Sequence, residues 1–395
     1  MIRQIEINEA ARAWGLSQHV VEKDYVIGWL LIGLAQQARL QTQWIFKGGT
    51  CLKKCYLETY RFSEDLDFTL TTNATNDLGE LTEAIRETCR WVSQESGIEL
   101  PVGSVEFRAA PNPRGGITIR GKVSYRGPLQ QPTPPRVQFD LTTDELIAMP
   151  PVLRSIYHPY SDQPRQPVKI RCYPIEEILA EKTRAMRERC LPRDLYDMIR
   201  LYRFEGIRLD GPKIRGLVEQ KCAHRELPMP TMRDIEASPR FIELESEWGN
   251  MLGHQIPILP PLEAYWDELG SYFEWIDGRP LGDLPSIEEI EASDASWRQP
   301  DFIALPAAWG TSAPIETIRF AGANRLRILL HYRPAKGHPG VREVEPYSFR
   351  RSQAGHLLFY GRNIGRPRIS AYRFDRIADV EVTKNPFIPR WRVEF

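Results

Sequence analysis

Asp65 and Asp67 stand two positions apart in RFSEDLDF. On a strand, residues two apart project from one face. Two such carboxylates can bridge a pair of Mg²⁺ ions roughly 3.5–4 Å apart, the arrangement that stabilises attacking and leaving oxygens in phosphoryl transfer. An acidic pair on an exposed strand face is the ordinary alternative, so position has to add weight. Upstream, Gly48 and Gly49 fall between an apolar run and a helical pattern, where backbone N–H groups suit triphosphate oxygens and the Thr50 hydroxyl offers a further donor. A plain turn is the other reading of that triplet. Asp140, in RVQFDLT, is a candidate third carboxylate, placed to hold metal or take the proton of an attacking hydroxyl; the alternative is a solvated strand residue. Lys182 follows Leu179 by three residues and Ile178 by four, so a charge falls on an apolar helix stripe. Burial there is costly unless an anion such as phosphate meets it, or the stem lies on apolar surface with the amine in water. In RDLYDM, Asp194 and Asp197 read either as a cap and surface pair or as acids that orient Lys182 or a nucleotide.

The elements that position these groups follow from periodicity. Residues 18–37 predict a helix that becomes buried as it proceeds. Trp44–Phe46 predicts a strand, followed by the glycine turn and a helix carrying Leu52, Cys55 and Tyr56. In FSEDLDFTL, Leu66, Phe68 and Leu70 alternate with the two aspartates, and residues 116–127 and 136–142 alternate in the same way around a proline-rich loop. From Ile175 the period becomes helical, through 175–190, 193–204 and 263–276. The acidic stretch after Asp277 has no apolar period and reads as a linker; residues 315–395 read as strand-like throughout, a small all-β domain.

Composition is that of an ordinary globular chain. Its 395 residues carry 52 Lys+Arg against 52 Asp+Glu, which excludes a uniformly basic coat for nucleic acid. The balance is uneven, because residues 301–395 hold 16 basic and 8 acidic residues, a net of +8 against −8 for the rest. Cys51, Cys55, Cys89, Cys172, Cys190 and Cys222 form no CxxC pair and accompany no His cluster, which predicts a reducing cytoplasm and no structural zinc. The apolar run from Val26 to Ala35 is about half the length of a membrane-spanning helix, and no cleavable signal opens the chain, so neither membrane insertion nor secretion is expected.

The series VVEKDY (20–25), FKGGTCLKK (46–54), RFSEDLDF (61–68), EEILAEKTRAM (176–186) and RDLYDM (193–198) resembles, in order and spacing, the AbiE-type nucleotidyltransferase toxins, including the mycobacterial MenT enzymes, over about residues 5–280. The resemblance implies an α+β fold with a DNA polymerase beta-like core and a helical C-terminal half, and Mg²⁺-dependent transfer of a nucleoside monophosphate from an NTP. It also implies a place in a toxin–antitoxin or phage-defence system with a cognate antitoxin, and a tRNA 3′ end as acceptor, which stops translation. It places Gly49 and Thr50 on the phosphate motif, Asp65 and Asp67 on the metal pair, Lys182 on the lysine that grips the triphosphate and Asp194 on the essential acid of the last motif. Residues 344–350 and 371–382 resemble a WYL domain, an SH3-like barrel that senses ligands or nucleic acid, although Leu357-Leu358-Phe359 replaces the tripeptide that names it. Arg333, Arg350, Arg351, Arg362, Arg373 and Arg376 with Tyr347 and Tyr372 are the candidate face for phosphates and bases, or for a nucleotide ligand.

The expected layout is a nucleotidyltransferase domain over 1–280, an acidic linker over 281–305 and a WYL-like β domain over 306–395. Two rival readings stand beside the RNA enzyme. One is the same chemistry on a protein or small molecule; the other is a non-enzymatic, ligand-responsive regulator, although the lack of a recognisable helix-turn-helix counts against a DNA-binding repressor.

Overall fold

The computed structural model describes residues 1–58, 60–111, 117–204, 209–280, 282, 284–287, 313–335, 337–352 and 355–395. They fall into two compact units, one of Met1–Glu181, Leu217–Met229 and His254–Pro257, the other of Lys182–Gly216, Pro230–Gly253 and Ile258–Phe395.

The first unit is built on a mixed seven-stranded sheet. Its strands are β1 (Trp44–Lys47), β2 (Asp65–Leu70), β3 (Glu106–Pro111), β4 (Ile117–Ser124), β5 (Arg136–Thr142), β6 (Val152–Ser155) and β7 (Lys169–Cys172), in the order β3-β4-β5-β2-β1-β7-β6. β2 runs parallel to β5 and β1 parallel to β7, and the remaining neighbours are antiparallel. Alternation does the work expected of it: Leu66 and Phe68 on β2, and Val137, Phe139 and Leu141 on β5, are buried, while the aspartates between them are half-buried. The helix Gln18–Gln36 opens at Ser17, whose side chain accepts from Val20 N, and is buried almost continuously from Val20 to Ala35. It packs on the helix Leu78–Ser96. Three strands carry little sequence signal. β3 and β6 are the sheet's two edges, largely exposed, and β7 is four residues long, so none shows sustained apolar alternation.

The second unit contains the helix Pro192–Tyr202, further helices to Ile276, and a five-stranded antiparallel sheet in the order β11-β10-β9-β8-β12. Its strands are β8 (Leu326–Tyr332), β9 (Gly340–Arg351), β10 (Leu357–Asn363), β11 (Ile369–Arg373) and β12 (Ile377–Pro386). The expectation of strand throughout 315–395 is corrected at its start, where Ala313–Ala323 is an α-helix. Ile315, Ile318 and Ala321 are among its buried residues and follow helical spacing; the β-branched residues among them mimic strand composition. Residues 263–276 form two short helices, Glu263–Trp266 and Leu269–Ile276, rather than one. The expected linker 281–305 lies mostly outside the described residues, although Ile287 is buried against Tyr347, Tyr360, Phe387 and Val393 of the β domain. Among the described residues no helix is long and apolar enough to cross a membrane.

Candidate active site

Strand register assembles a charged row across the first sheet. Asp67 on β2 is the partner of Asp140 on β5 and of Lys47 on β1, and Asp140 is the partner of Arg120 on β4. Side chains opposite one another share a face, so Arg120, Asp140, Asp67 and Lys47 form one line, with Asp65 two residues along β2 on the same side. Arg120 Nε lies 3.4 Å from Asp140 Oδ1, in an exposed pair. Lys47 is buried, 2.9 Å from Glu181 and 3.9 Å from Glu145. Burial acts to lower its pKa, but the Glu181 and Glu145 carboxylates outweigh it and hold the amine above its usual value, with Asp67 adding to the effect. The fully buried Lys221 shares Glu145 and Glu181 with Lys47 and lies 3.0 Å from Glu177.

The glycine turn belongs to the same place. Gly48 has φ +78°, and a Cβ there would stand 2.3 Å from Asp67 Oδ2, so glycine is required both by conformation and by the carboxylate over it. A Cβ on Gly49 would meet Arg61 Nη2 at 2.4 Å. Arg61 is itself buried and donates to Gln255 Oε1 at 2.8 Å. Thr50, expected as a phosphate donor, gives its hydroxyl hydrogen bond to the Asp65 carbonyl at 2.5 Å. It thereby fixes the turn against the strand that carries both aspartates.

In the second unit, the anion that meets Lys182 is protein. Its Nζ lies 3.1 Å from Asp194 and 2.8 Å from Asp197, all three buried. Arg189 adds a two-pronged contact to Asp194 at 2.7 and 2.9 Å. Burial alone would raise the Asp194 pKa; Lys182 and Arg189 override it and leave the carboxyl below its ordinary value. Asp194 and Asp197 therefore both pair with Lys182.

The candidate residues of the β domain separate into two groups. Tyr347, Arg350 and Arg362 are buried: Arg362 Nε donates to Glu345 at 2.7 Å, Tyr347 Oη to the same carboxylate at 3.0 Å, and Arg350 pairs with Glu394. These three are held inside by carboxylates. Arg333 is exposed, while Arg373 and Arg376 are half-buried, with Arg373 paired to Asp375 at 2.6 Å. Phe359 packs in the interior, its ring 5.8 Å from Phe349 and 5.7 Å from Tyr372.

A family model described as nucleotidyl transferase AbiEii toxin, Type IV TA system, matches residues 29–276. The chain belongs to the AbiEii nucleotidyltransferase toxins. A WYL domain model matches residues 314–382. Among solved structures, the nucleotidyltransferase toxin MenT4 from Mycobacterium tuberculosis H37Rv is similar at 21% identity and a TM-score of 0.49, covering 71% of this chain and 91% of that one. No curated protein matches the chain. In this AbiEii chain, motif residues that sequence reading left without a role are structural. Asp24 of VVEKDY receives Lys54 of the glycine-turn motif at 2.7 Å and the Tyr160 hydroxyl at 2.9 Å, all buried, which ties the first long helix to the segment after the turn. Glu22 accepts from Leu129 N and Gln131 Nε2, both at 2.6 Å. Lys47 and Arg61 were the missed cations. Their signal was adjacency, one directly before Gly48 and the other four residues before Asp65.

Proposed function

We propose that this nucleotidyltransferase moves a nucleoside monophosphate from an NTP to an RNA, with the tRNA 3′ end as acceptor, in a toxin–antitoxin or phage-defence setting in the cytoplasm. The observation that carries the reading is the register-matched row of Asp67, Asp140 and Lys47 beside a turn that admits only glycine at position 48. Asp65, Asp67 and Asp140 are hard oxygen donors on one sheet face, a set suited to Mg²⁺ and held by adjacent strands. They would hold the ion, which would offset charge on the phosphoryl oxygens. The turn from Gly48 presents backbone N–H groups for the triphosphate. An RNA hydroxyl attacks the α-phosphorus, forming one P–O bond as the α–β bridge breaks and pyrophosphate leaves. Asp140 accepts the hydroxyl proton. Asp194 is assigned to positioning Lys182 within the second unit. We assign the enzyme to residues 1–280, the linker to 281–305 and the WYL domain to 306–395, where Arg333, Arg373 and Arg376 supply the accessible cations for nucleic acid or a nucleotide.

Periodate treatment destroys the terminal diol of tRNA and tests the acceptor. Labelled nucleotide should enter intact tRNA and fail to enter oxidised tRNA. Equal labelling of both, or label only on polypeptide, would refute the 3′-end assignment.

A further inference from the structure

Cys172 is more than a hundred residues from Cys51 and Cys55, yet the three sulfurs all lie within 4.8 Å of one another in the interior of the first unit. The fold brings them together in three steps. Cys51 ends the helical turn begun at Gly48, and Cys55 follows four residues later on the same side, within the π-helical turn Leu52–Tyr56. Cys172 closes β7 and is in register with Phe46 of β1. Buried cysteines commonly act as small apolar residues, but this group has polar surroundings. Tyr56 Oη lies 3.7 Å from Cys172 Sγ while donating to the Tyr173 carbonyl at 2.7 Å. The Arg154 guanidinium sits 4.7 Å from the centre of the Tyr56 ring, and its Nε donates to the Cys55 carbonyl at 3.3 Å.

We propose that Cys51, Cys55 and Cys172 form a three-sulfur site for a thiophilic divalent cation of the Zn²⁺ class. The expectation of no structural zinc rested on linear spacing, which is blind to a ligand supplied by a distant strand. Metal–sulfur bonds of about 2.3 Å put the sulfurs of such a site roughly 3.8 Å apart, so the trio needs only a modest contraction to close on an ion. Binding of a divalent ion releases the three thiol protons to solvent, and the resulting three-thiolate centre, of charge −1, stands beside the Arg154 guanidinium, whose Nε donates to the Cys55 carbonyl. Tyr56 Oη offers a fourth donor. Cys51 adjoins Thr50, and Cys172 pairs with the residue before Lys47, so the ion would staple both sides of the glycine turn.

The test uses untagged full-length protein purified under reducing conditions without chelator. Elemental analysis should find zinc stoichiometric with the chain, and exchange with Co²⁺ should produce thiolate-to-cobalt charge-transfer absorption in the near ultraviolet. Cys172→Ser should lose both signals, whereas Cys89→Ser should keep them. Should Cys172→Ser fail to fold, the wild-type spectrum decides. Wild-type protein that holds no zinc and gives no thiolate band with Co²⁺, a band that survives Cys172→Ser, or a disulfide within the trio would each overturn the proposal. None of these readouts depends on nucleotide transfer.

Discussion

Lys182 is buried with two carboxylates, and its environment has a thermodynamic signature. A buried pair adds little net stability, because desolvation offsets its attraction, but removing one partner costs about 3–5 kcal/mol. Because Asp197 also contacts Lys182, at 2.8 Å, the lower end, about 3 kcal/mol, is expected for Asp194→Asn in urea denaturation. The same group sets a pH dependence. Asp194 has a folded pKa below the ordinary carboxylate value, so its stabilisation is fully present above the unfolded value of about 3.9 and is lost as pH falls through the folded pKa. Wild-type stability should therefore drop below about pH 4 more steeply than that of Asp194→Asn. Parallel acid limbs in the two proteins would show that Asp194 does not supply this term. Lys182 was legible as a charge on an apolar stripe that needs an anion; that the anion comes from RDLYDM was not, since it depends on how two helices pack.

The β1–turn–helix element was the most legible part of the fold, because an apolar run, two glycines and a change of period leave little freedom. The acidic faces of β2 and β5 were equally plain from alternation. What alternation cannot give is strand order, so the pairing of Asp67 with both Asp140 and Lys47 emerged only from the register. The helix Ala313–Ala323 was hidden for a different reason: isoleucine and threonine favour strands locally, and tertiary burial of one helical face overrides them. Gly48 offers a direct test of the element. Gly48→Ala meets a left-handed backbone, costing about 1–2 kcal/mol, and a contact with Asp67 Oδ2. Transfer should fall at least tenfold, with a melting temperature lowered by only a few degrees. Unchanged turnover would remove the turn from the site.

In the second unit the helical region and the β domain share a buried polar joint. Asn324, just past the helix Ala313–Ala323, accepts the hydroxyls of Tyr196 at 2.9 Å and Tyr265 at 2.7 Å, and Arg200 donates to the Ala323 carbonyl at 2.9 Å. Tyr196 and Arg200 lie on the helix that carries Asp194 and Asp197, so the β domain is anchored to the segment that holds Lys182. Asn324→Leu removes the shared acceptor and should cost about 1–3 kcal/mol in urea denaturation; a loss below 0.5 kcal/mol, the range of ordinary surface changes, would mean that the joint contributes nothing. Such a joint links residues 59 to 128 positions apart and leaves no trace in local periodicity. The most direct measurement is transfer itself: protein, total tRNA and Mg²⁺ are incubated with each NTP labelled at the α-phosphate, and RNA is resolved from protein on a gel. Wild-type protein should label the tRNA band, and Asp65→Asn and Asp67→Asn, folded by circular dichroism, should not. Label that persists in both variants, or that appears on protein alone, would contradict the assignment.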